Sequence, residues 1–469
     1  MALKTLNPPI PWRPKPSDTV EVRAHLHLPP RRSVRKLTPL TVSTRIYAGR
    51  SGFGSTEDGG VATGREVVPK NADLATLGNL CVDVVLGVQN LPPASKVERR
   101  AYMEQLAASP PDKKFWEAGG NCNLTIAASR LGLSCLTLGH VGDEIYGNFL
   151  LDVLQDEKIT YVGMSTNADD IVRVAAYETL TCWVLVDPFQ KHGFCSLADF
   201  SEEPAFNWMS ELTEEVKTAI RQTKILFCNG YAFDEFFPHL IISSLDCAIH
   251  AGTAVFFDPG PRVRKLLHGT LEEKKALELF LRQSDVLLFT SDEIESLTGI
   301  NNPIKAGQEL IRRGVQTKWV VVKMGSKGSI LINRSTVSCA PSFKVDVVDT
   351  VGCGDSFTAA IAFGFLHGMS AVETLALANA VGAATATGCG AGRNVARLNK
   401  VLELLGQSKL NEDDAFWNKL IGKESTDEVL LLSKMSINGH SDRLVRVPIE
   451  YVLFQLLPEF DNACERSTI

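Results

Sequence analysis

The sequence predicts an α/β fold, a doubly wound and mostly parallel sheet with helices on both faces. Two observations predict it. From Asn121 to Leu405 short apolar runs alternate with amphipathic stretches of helical length, the pattern of strands that cross over through helices. Near its end, a glycine-rich turn joins a strand-like segment to a helix of small residues, the junction at which such sheets hold anions.

Taken in order, Leu74–Leu77 and Leu80–Leu86 read as buried strands separated by the Gly78-Asn79 break. Further strands are expected at Leu136–Gly139, Lys224–Cys228, Ala254–Phe257, Val286–Phe289 and Trp319–Val322. Helices are expected at Asn123–Arg130, Gly147–Gln155, Thr213–Gln222, Leu271–Arg282, Ile304–Arg313 and Ala371–Ala384, each with apolar residues at helical spacing. Phe343–Val348 alternates apolar and polar residues and reads as a strand. Asn90–Glu117 and Arg173–Phe194 break the rhythm and read as loops and antiparallel strands.

The organisation expected is a disordered basic segment over 1–65, a catalytic domain over 70–407 and an extension over 408–469 that packs as one or two helices. Between Met1 and Thr56 the acids are Asp18 and Glu21 alone, against ten Lys and Arg. An acid-poor, hydroxyl-rich, basic leader without an apolar core is the composition of an organelle transit peptide, plastid ahead of mitochondrion; a plain tail on a cytoplasmic protein is the alternative.

Of the 469 residues, 45% are hydrophobic and 22% charged, and the net charge is −6. That balance gives no footprint for nucleic acid, and no apolar run is long enough to predict a membrane span. Eleven cysteines are scattered, several inside apolar runs, and nine histidines show no ligand spacing. These thiols read as small buried side chains of a reducing compartment.

The chemistry concentrates in Asp349-Thr350-Val351-Gly352-Cys353-Gly354-Asp355. A glycine turn entering a helix aims backbone N–H groups at one point, and the helix dipole adds positive charge there. A carboxylate beside such an anion hole suits a general base acting on a hydroxyl that attacks phosphate. An isolated Gly-x-Gly-Asp would more simply be a turn with a capping Asp. This run, however, resembles the signature of the pfkB (ribokinase-like) carbohydrate kinases, Asp-Thr-x-Gly-Ala-Gly-Asp, with Cys353 in place of Ala. There is no Gly-x4-Gly-Lys-Ser/Thr loop, so a nucleotide site is built otherwise.

Other segments match the family in its order. Gly78-Asn79-x3-Asp83 places an Asp where the family binds sugar hydroxyls, and a charge in an apolar strand is costly without a partner. Gly119-Gly120-Asn121-Cys122-Asn123 is similar to the amino-terminal signature, with glycines that let backbone lie against a polyol and Asn123 to bond vicinal hydroxyls. Gly142-Asp143-x3-Gly147 follows. Asp258-Pro259-Gly260-Pro261-Arg262 has Gly260 where relatives carry Asn, and keeps Arg262 to neutralise phosphate. Thr290-Ser291-Asp292-Glu293 keeps the Glu that organises Mg2+ through water. The nucleotide side resembles Lys323, Gly325 and Gly328 after a Val-rich strand, Thr350, the helix bearing Asn379 and Gly382, and a closing loop at Gly390.

The resemblance implies a ribokinase-like fold with a small β lid formed from the two irregular stretches. It implies ATP and Mg2+, with K+ near the Asp349 loop as an option. The acceptor is a small hydroxyl-bearing molecule, a sugar, nucleoside or related polyol. Asp355 is the expected base, and the amides of Gly352, Cys353 and Gly354 are the expected anion hole. A homodimer through the lid is an option. The alternative function is a catalytically weak scaffold subunit of an organellar complex; retention of Asp349 and Asp355 argues against it.

Overall fold

The computed structural model describes residues 69–93, 95–109, 111–164, 177–189, 191–389, 391–422, 428–434 and 444–466. The segment 1–65 and Gly390 lie outside the described residues. The apolar runs become strands: β1 (Ala72–Leu77), β2 (Leu80–Gly87), β3 (Trp116–Gly120), β4 (Cys135–Gly139), β5 (Thr160–Gly163), β6 (Leu180–Val186), β7 (His192–Ser196) and β8 (Thr223–Asn229). They continue with β9 (Ala254–Asp258), β10 (Val286–Thr290), β11 (Trp319–Lys323), β12 (Ser329–Ile332), β13 (Thr336–Ala340), β14 (Glu428–Ser433) and β15 (Leu444–Pro448). Eleven of these form one sheet in the order β15-β14-β13-β12-β11-β10-β9-β8-β1-β4-β5, in which β12 alone runs against the rest. The order reverses beside β1, between β4 and β8, a crevice at which doubly wound sheets take ligands.

Side chains that alternate along each strand divide between two cores. Leu74, Phe227, Leu288 and Val321 face one side, and Ala75, Cys228, Leu287 and Val322 the other. Both faces are covered, which is why these strands read as unbroken apolar runs. The first core packs against α2 (Asn121–Arg130), α9 (Cys353–Leu366), α10 (Ala371–Ala386) and α13 (Ile449–Arg466). The second packs against α4 (Glu214–Arg221), α5 (Pro238–His250), α6 (Leu271–Gln283), α8 (Pro303–Arg313) and α12 (Asp414–Ile421). The remaining longer helices are α1 (Lys96–Ala107), α3 (Ile145–Asp156), α7 (Ser291–Thr298) and α11 (Leu398–Gln407).

The other four strands form a separate lid sheet, β3-β2-β6-β7. Its outer face is apolar: Trp116 packs tilted against Tyr146 and edge-on against Phe149 of α3, with ring centroids at 4.5 and 5.7 Å. The lid differs from expectation in two ways. Residues 90–117 contribute the helix α1 as well as strand, and β2 pairs parallel with β6.

Phe343–Val348 is not a strand. Phe343 makes one isolated bridge to Leu410, and Val347 is exposed. The reason is a missing edge: β13 is already hydrogen-bonded to β12 on one side and β14 on the other. Residues 408–466 supply strands as well as helices, since β14 and β15 extend the main sheet. Phe460 of α13 is 1% exposed and stacks on Phe363 of α9 at 5.5 Å. Phe460→Ala is therefore expected to cost ~3 kcal/mol in chemical denaturation, the usual cost of emptying a buried aromatic site, while Phe454→Ala on the exposed face of the same helix leaves the midpoint unchanged.

Candidate active site

Nearly all strands of the main sheet are parallel, so their carboxyl ends share one edge, and polar residues collect there. Asn229 and Asp258 are register partners at the ends of β8 and β9. Thr290 and Lys323 are partners at the ends of β10 and β11. Above this edge the chain turns through Gly352, whose φ of +75° favours glycine, and enters α9 at Cys353.

The three amides expected to form an anion hole are placed differently in that turn. The Cys353 N–H donates to Thr350 O at 3.3 Å, so it serves the turn itself and is not aimed at a ligand. The Gly352 and Gly354 N–H groups have no such acceptor among the described residues. Gly354 is exposed, and a Cβ placed on it would meet nothing nearer than Lys323 Nζ at 3.9 Å. The turn is thus an open cradle with an ammonium group at its rim, a fit for phosphate oxygens.

Asp355 lies in the first turn of α9. Its Oδ2 accepts from Asn123 Nδ2 at 3.2 Å. Burial pushes its pKa up to about 6, with Asp258 adding to the rise and Lys323 opposing it. Asn123 is occupied at both ends of its amide, since its Oδ1 accepts from Gly392 N at 2.7 Å. It orients the Asp355 carboxylate and ties the 392 loop to α2.

Asp83 is 5% exposed, and its Oδ1 accepts from the Cys81 thiol at 3.5 Å. Burial raises its pKa to about 7, helped by the charges of Asp355, Glu117 and Asp349. Gly119 faces it across β2 and β3: an added Cβ would fall 2.2 Å from the Asp83 carboxyl. Gly119 is glycine because the carboxylate takes that space. Gly120, with φ +58°, turns β3 into α2 against Asn79 O.

Lys323 Nζ donates to Asp258 Oδ2 at 2.5 Å, and the Asp258 and Glu293 charges hold its pKa up against burial. Glu293 closes a capping box with Thr290, whose N–H donates to Glu293 Oε2 at 2.7 Å. Thr290 thus takes the cap. Among the described residues no group of three or more His, Cys, Asp or Glu is placed to ligate a metal directly.

Several sequence-predicted residues also have structural surroundings of their own. Asn379 donates to Ala340 O and Pro341 O and accepts from Ser329 Oγ, so its amide is spent. A Cβ on Gly382 would lie 3.4 Å from Cys353 O, which makes it a contact between α10 and α9. Gly325, with φ +57°, and Gly328, with φ +106°, form the turn from β11 to β12. Gly328 abuts Ala340 O, while Gly325 borders open space. Thr350 is exposed at the mouth of the glycine turn. In the 142–147 segment it is Glu144 that caps α3. Arg262 is held by Asp234 at 2.7 Å and Asp199 at 3.1 Å, over the Tyr231 ring.

Three residues escaped the sequence reading. Asn229 donates from Nδ2 to Asn121 Oδ1 at 2.9 Å; its signal was a polar residue ending an apolar run before Gly230. His192 on the lid brings Nε2 within 2.6 Å of Asp349 Oδ1, whose carboxylate also accepts from Val351 N. Glu235 is buried, and its Oε2 accepts from Asn79 N at 2.5 Å, fixing the turn at which the chain leaves the main sheet for the lid. Nothing in its local sequence marked it.

Residues 80–397 match the model of the pfkB family carbohydrate kinases. The chain belongs to that family. Among curated proteins it resembles 5-dehydro-2-deoxygluconokinases of Bacillus anthracis and Bacillus thuringiensis, at 26% identity over 313 residues, covering 66% of this chain and 87% of each relative. Among solved structures it resembles a ribokinase of Arabidopsis thaliana complexed with ribose and ATP, at TM-score 0.53 and 20% identity, over 71% of this chain and 98% of that one. An adenosine kinase of Sinorhizobium meliloti gives TM-score 0.56 and 17% identity, over 72% of this chain and 99% of its own. Both structures share the ribokinase-like fold described above. This pfkB protein is accordingly a carbohydrate kinase.

Burial raises the Glu235 pKa from 4.5 to about 8. The unfolded chain therefore releases this proton first, and the folded state loses stability as pH rises through that window, by up to ~1.4 kcal/mol per pH unit. Glu235→Gln keeps an acceptor for Asn79 N–H. Denaturant titrations at pH 5, 6.5 and 8 are expected to show a shallower decline for the variant than for the natural protein.

Proposed function

We propose that this protein transfers the γ-phosphoryl group of ATP to a hydroxyl of a sugar, nucleoside or related polyol, with Asp355 as general base. The observation that carries the reading is the juxtaposition of Asp355 with the open glycine cradle and Lys323. Base and phosphate site lie side by side, so one hydroxyl can lose its proton to the first while it meets phosphorus at the second.

Asp83, across the cleft on the lid, receives hydroxyls of the acceptor and orients it. Asn123 holds the Asp355 carboxylate through Oδ2, which leaves Oδ1 for the reacting hydroxyl. A base with pKa about 6 is ionised at neutral pH yet retains proton affinity. ATP, when bound, would supply the phosphoryl group, and Glu293 would hold its Mg2+ through water, where the ion would offset phosphate charge. The Gly352 and Gly354 amides and the Lys323 ammonium stabilise negative charge on the phosphoryl oxygens. The His192 imidazole already opposes the Asp349 carboxylate, so a K+ ion there is not part of this reading. The basic leader supports a plastid address for the enzyme.

The test is ATP-to-ADP turnover by the full chain against pentoses, hexoses, nucleosides and inositols with Mg2+. One acceptor is expected to support turnover, and Asp355→Asn to lower kcat by ~10³-fold or more. Below about pH 6, kcat/KM is expected to fall tenfold per unit as Asp355 takes up a proton. ATP binding without turnover on any acceptor would count against the reading.

A further inference from the structure

The lid is fastened to the body along one edge by charge. Its strands run in the order β3-β2-β6-β7, so β7 is the edge opposite β3. Both ends of β7 meet oppositely charged groups of the body. At its start, His192 Nε2 lies 2.6 Å from Asp349 Oδ1, just ahead of the glycine turn. Just past its end, Asp199 Oδ1 accepts from Arg262 Nη2 at 3.1 Å, on the segment that follows β9. Asp234 also holds Arg262, so the second link repeats a contact the body makes for itself. The first link reaches into the phosphate site.

Asp349 is an awkward neighbour for phosphate. It is buried, and its Oδ1 also accepts from Val351 N at 2.9 Å, which folds the carboxylate back onto the turn. The next residue is Gly352, whose amide opens the cradle. The Asp349 charge is felt inside that turn: burial first, then the charges of Asp349 and Asp355, push the Cys353 thiol up to about 12. The carboxylate therefore acts against phosphate oxygens brought to the Gly352 and Gly354 amides, and burial leaves the repulsion poorly screened. His192 stands where a positive charge would offset it. Its side chain is largely sheltered from water, and the Phe194 ring lies nearly parallel to it at 6.4 Å.

We propose that His192 is a positioning residue for phosphoryl transfer: as an imidazolium carried by the lid, it offsets the Asp349 charge and readies the glycine turn for the terminal phosphates of the nucleotide. This rests on the kinase reading above and extends it from the body to the lid. The phosphate site is complete only while β7 lies against the turn, so the lid serves the nucleotide as well as the acceptor. Without His192 the Asp349 carboxylate is left buried and poorly matched, the costliest state for such a group. It then either repels phosphate or pulls the turn out of shape.

The test uses the full chain and reads affinity by calorimetry with two probes, the β,γ-imido analogue of ATP with Mg2+, and AMP. The analogue brings terminal phosphates to the cradle and AMP does not. His192→Gln is expected to weaken the analogue at least about tenfold while AMP changes by less than about threefold. Adding Asp349→Asn to that variant removes the charge left unmatched. The double variant is expected to bind the analogue within about threefold of the natural protein, a coupling that a merely structural role would not produce. Should His192→Gln fail to fold by circular dichroism, Asp349→Asn alone decides, since the analogue is then expected to bind as tightly as before or tighter. Analogue affinity unchanged in His192→Gln, an equal loss for AMP, or a double variant as weak as the single one would overturn the proposal and leave the kinase reading standing. Weaker analogue binding in Asp349→Asn alone would do the same. No binding of the analogue by the natural protein would sink the kinase reading and this one with it.

Discussion

One buried side chain holds the catalytic edge together. Asn121 donates to the carbonyls of Leu77 at 3.2 Å and Gly78 at 2.7 Å, and accepts from Asn229 at 2.9 Å. It therefore joins the end of β1, the end of β8 and the start of α2 at the crevice of the sheet. The backbone leaves the main sheet at Gly78-Asn79 and returns at Gly120-Asn121, and Asn121 N–H closes the pair onto Asn79 O at 2.7 Å. Lid and body are tied together there. Two residues along α2, Asn123 meets Asp355. Without the Asn121 lock neither the lid angle nor the Asp355 carboxylate would be set, because buried amides without partners are too costly to remain in place.

The charges around that edge are sorted. On one side stand the Gly352 and Gly354 amides of the glycine turn and the Lys323 ammonium; on the other stand Asp83 and Asp355, both with raised pKa. Burial is the larger cause of both shifts. The same low dielectric is what suits Asp355 to the proposed role of general base.

Much of this was legible in the sequence, and the exceptions have physical reasons. Apolar runs such as Val286–Phe289 fix strands because only a sheet covered on both faces can bury them. The glycine turn was legible because Gly352 needs a left-handed φ and Asp355 follows at a fixed offset. Phe343–Val348 has strand periodicity but finds no open edge, a fact decided by β14 some ninety residues later. Asn379 looked like a nucleotide contact and is a bracket between β12 and the 340–341 backbone. Glu235 was invisible because its role depends on Asn79, 156 positions away. Pair partners far apart in the chain leave no local pattern.

The carboxyl-terminal strands carry a consequence for synthesis. β14 docks on β13 across nearly ninety residues, and Phe460 reaches back to cover Phe363. On the ribosome, α9 and α10 emerge long before their cover, so the nascent chain holds an aromatic face open until its last helix is released. Completion of the core is in this sense a timed event. A chain cut short by a frameshift or a premature stop would display that face to chaperones and proteases even though every residue of its catalytic edge was already present.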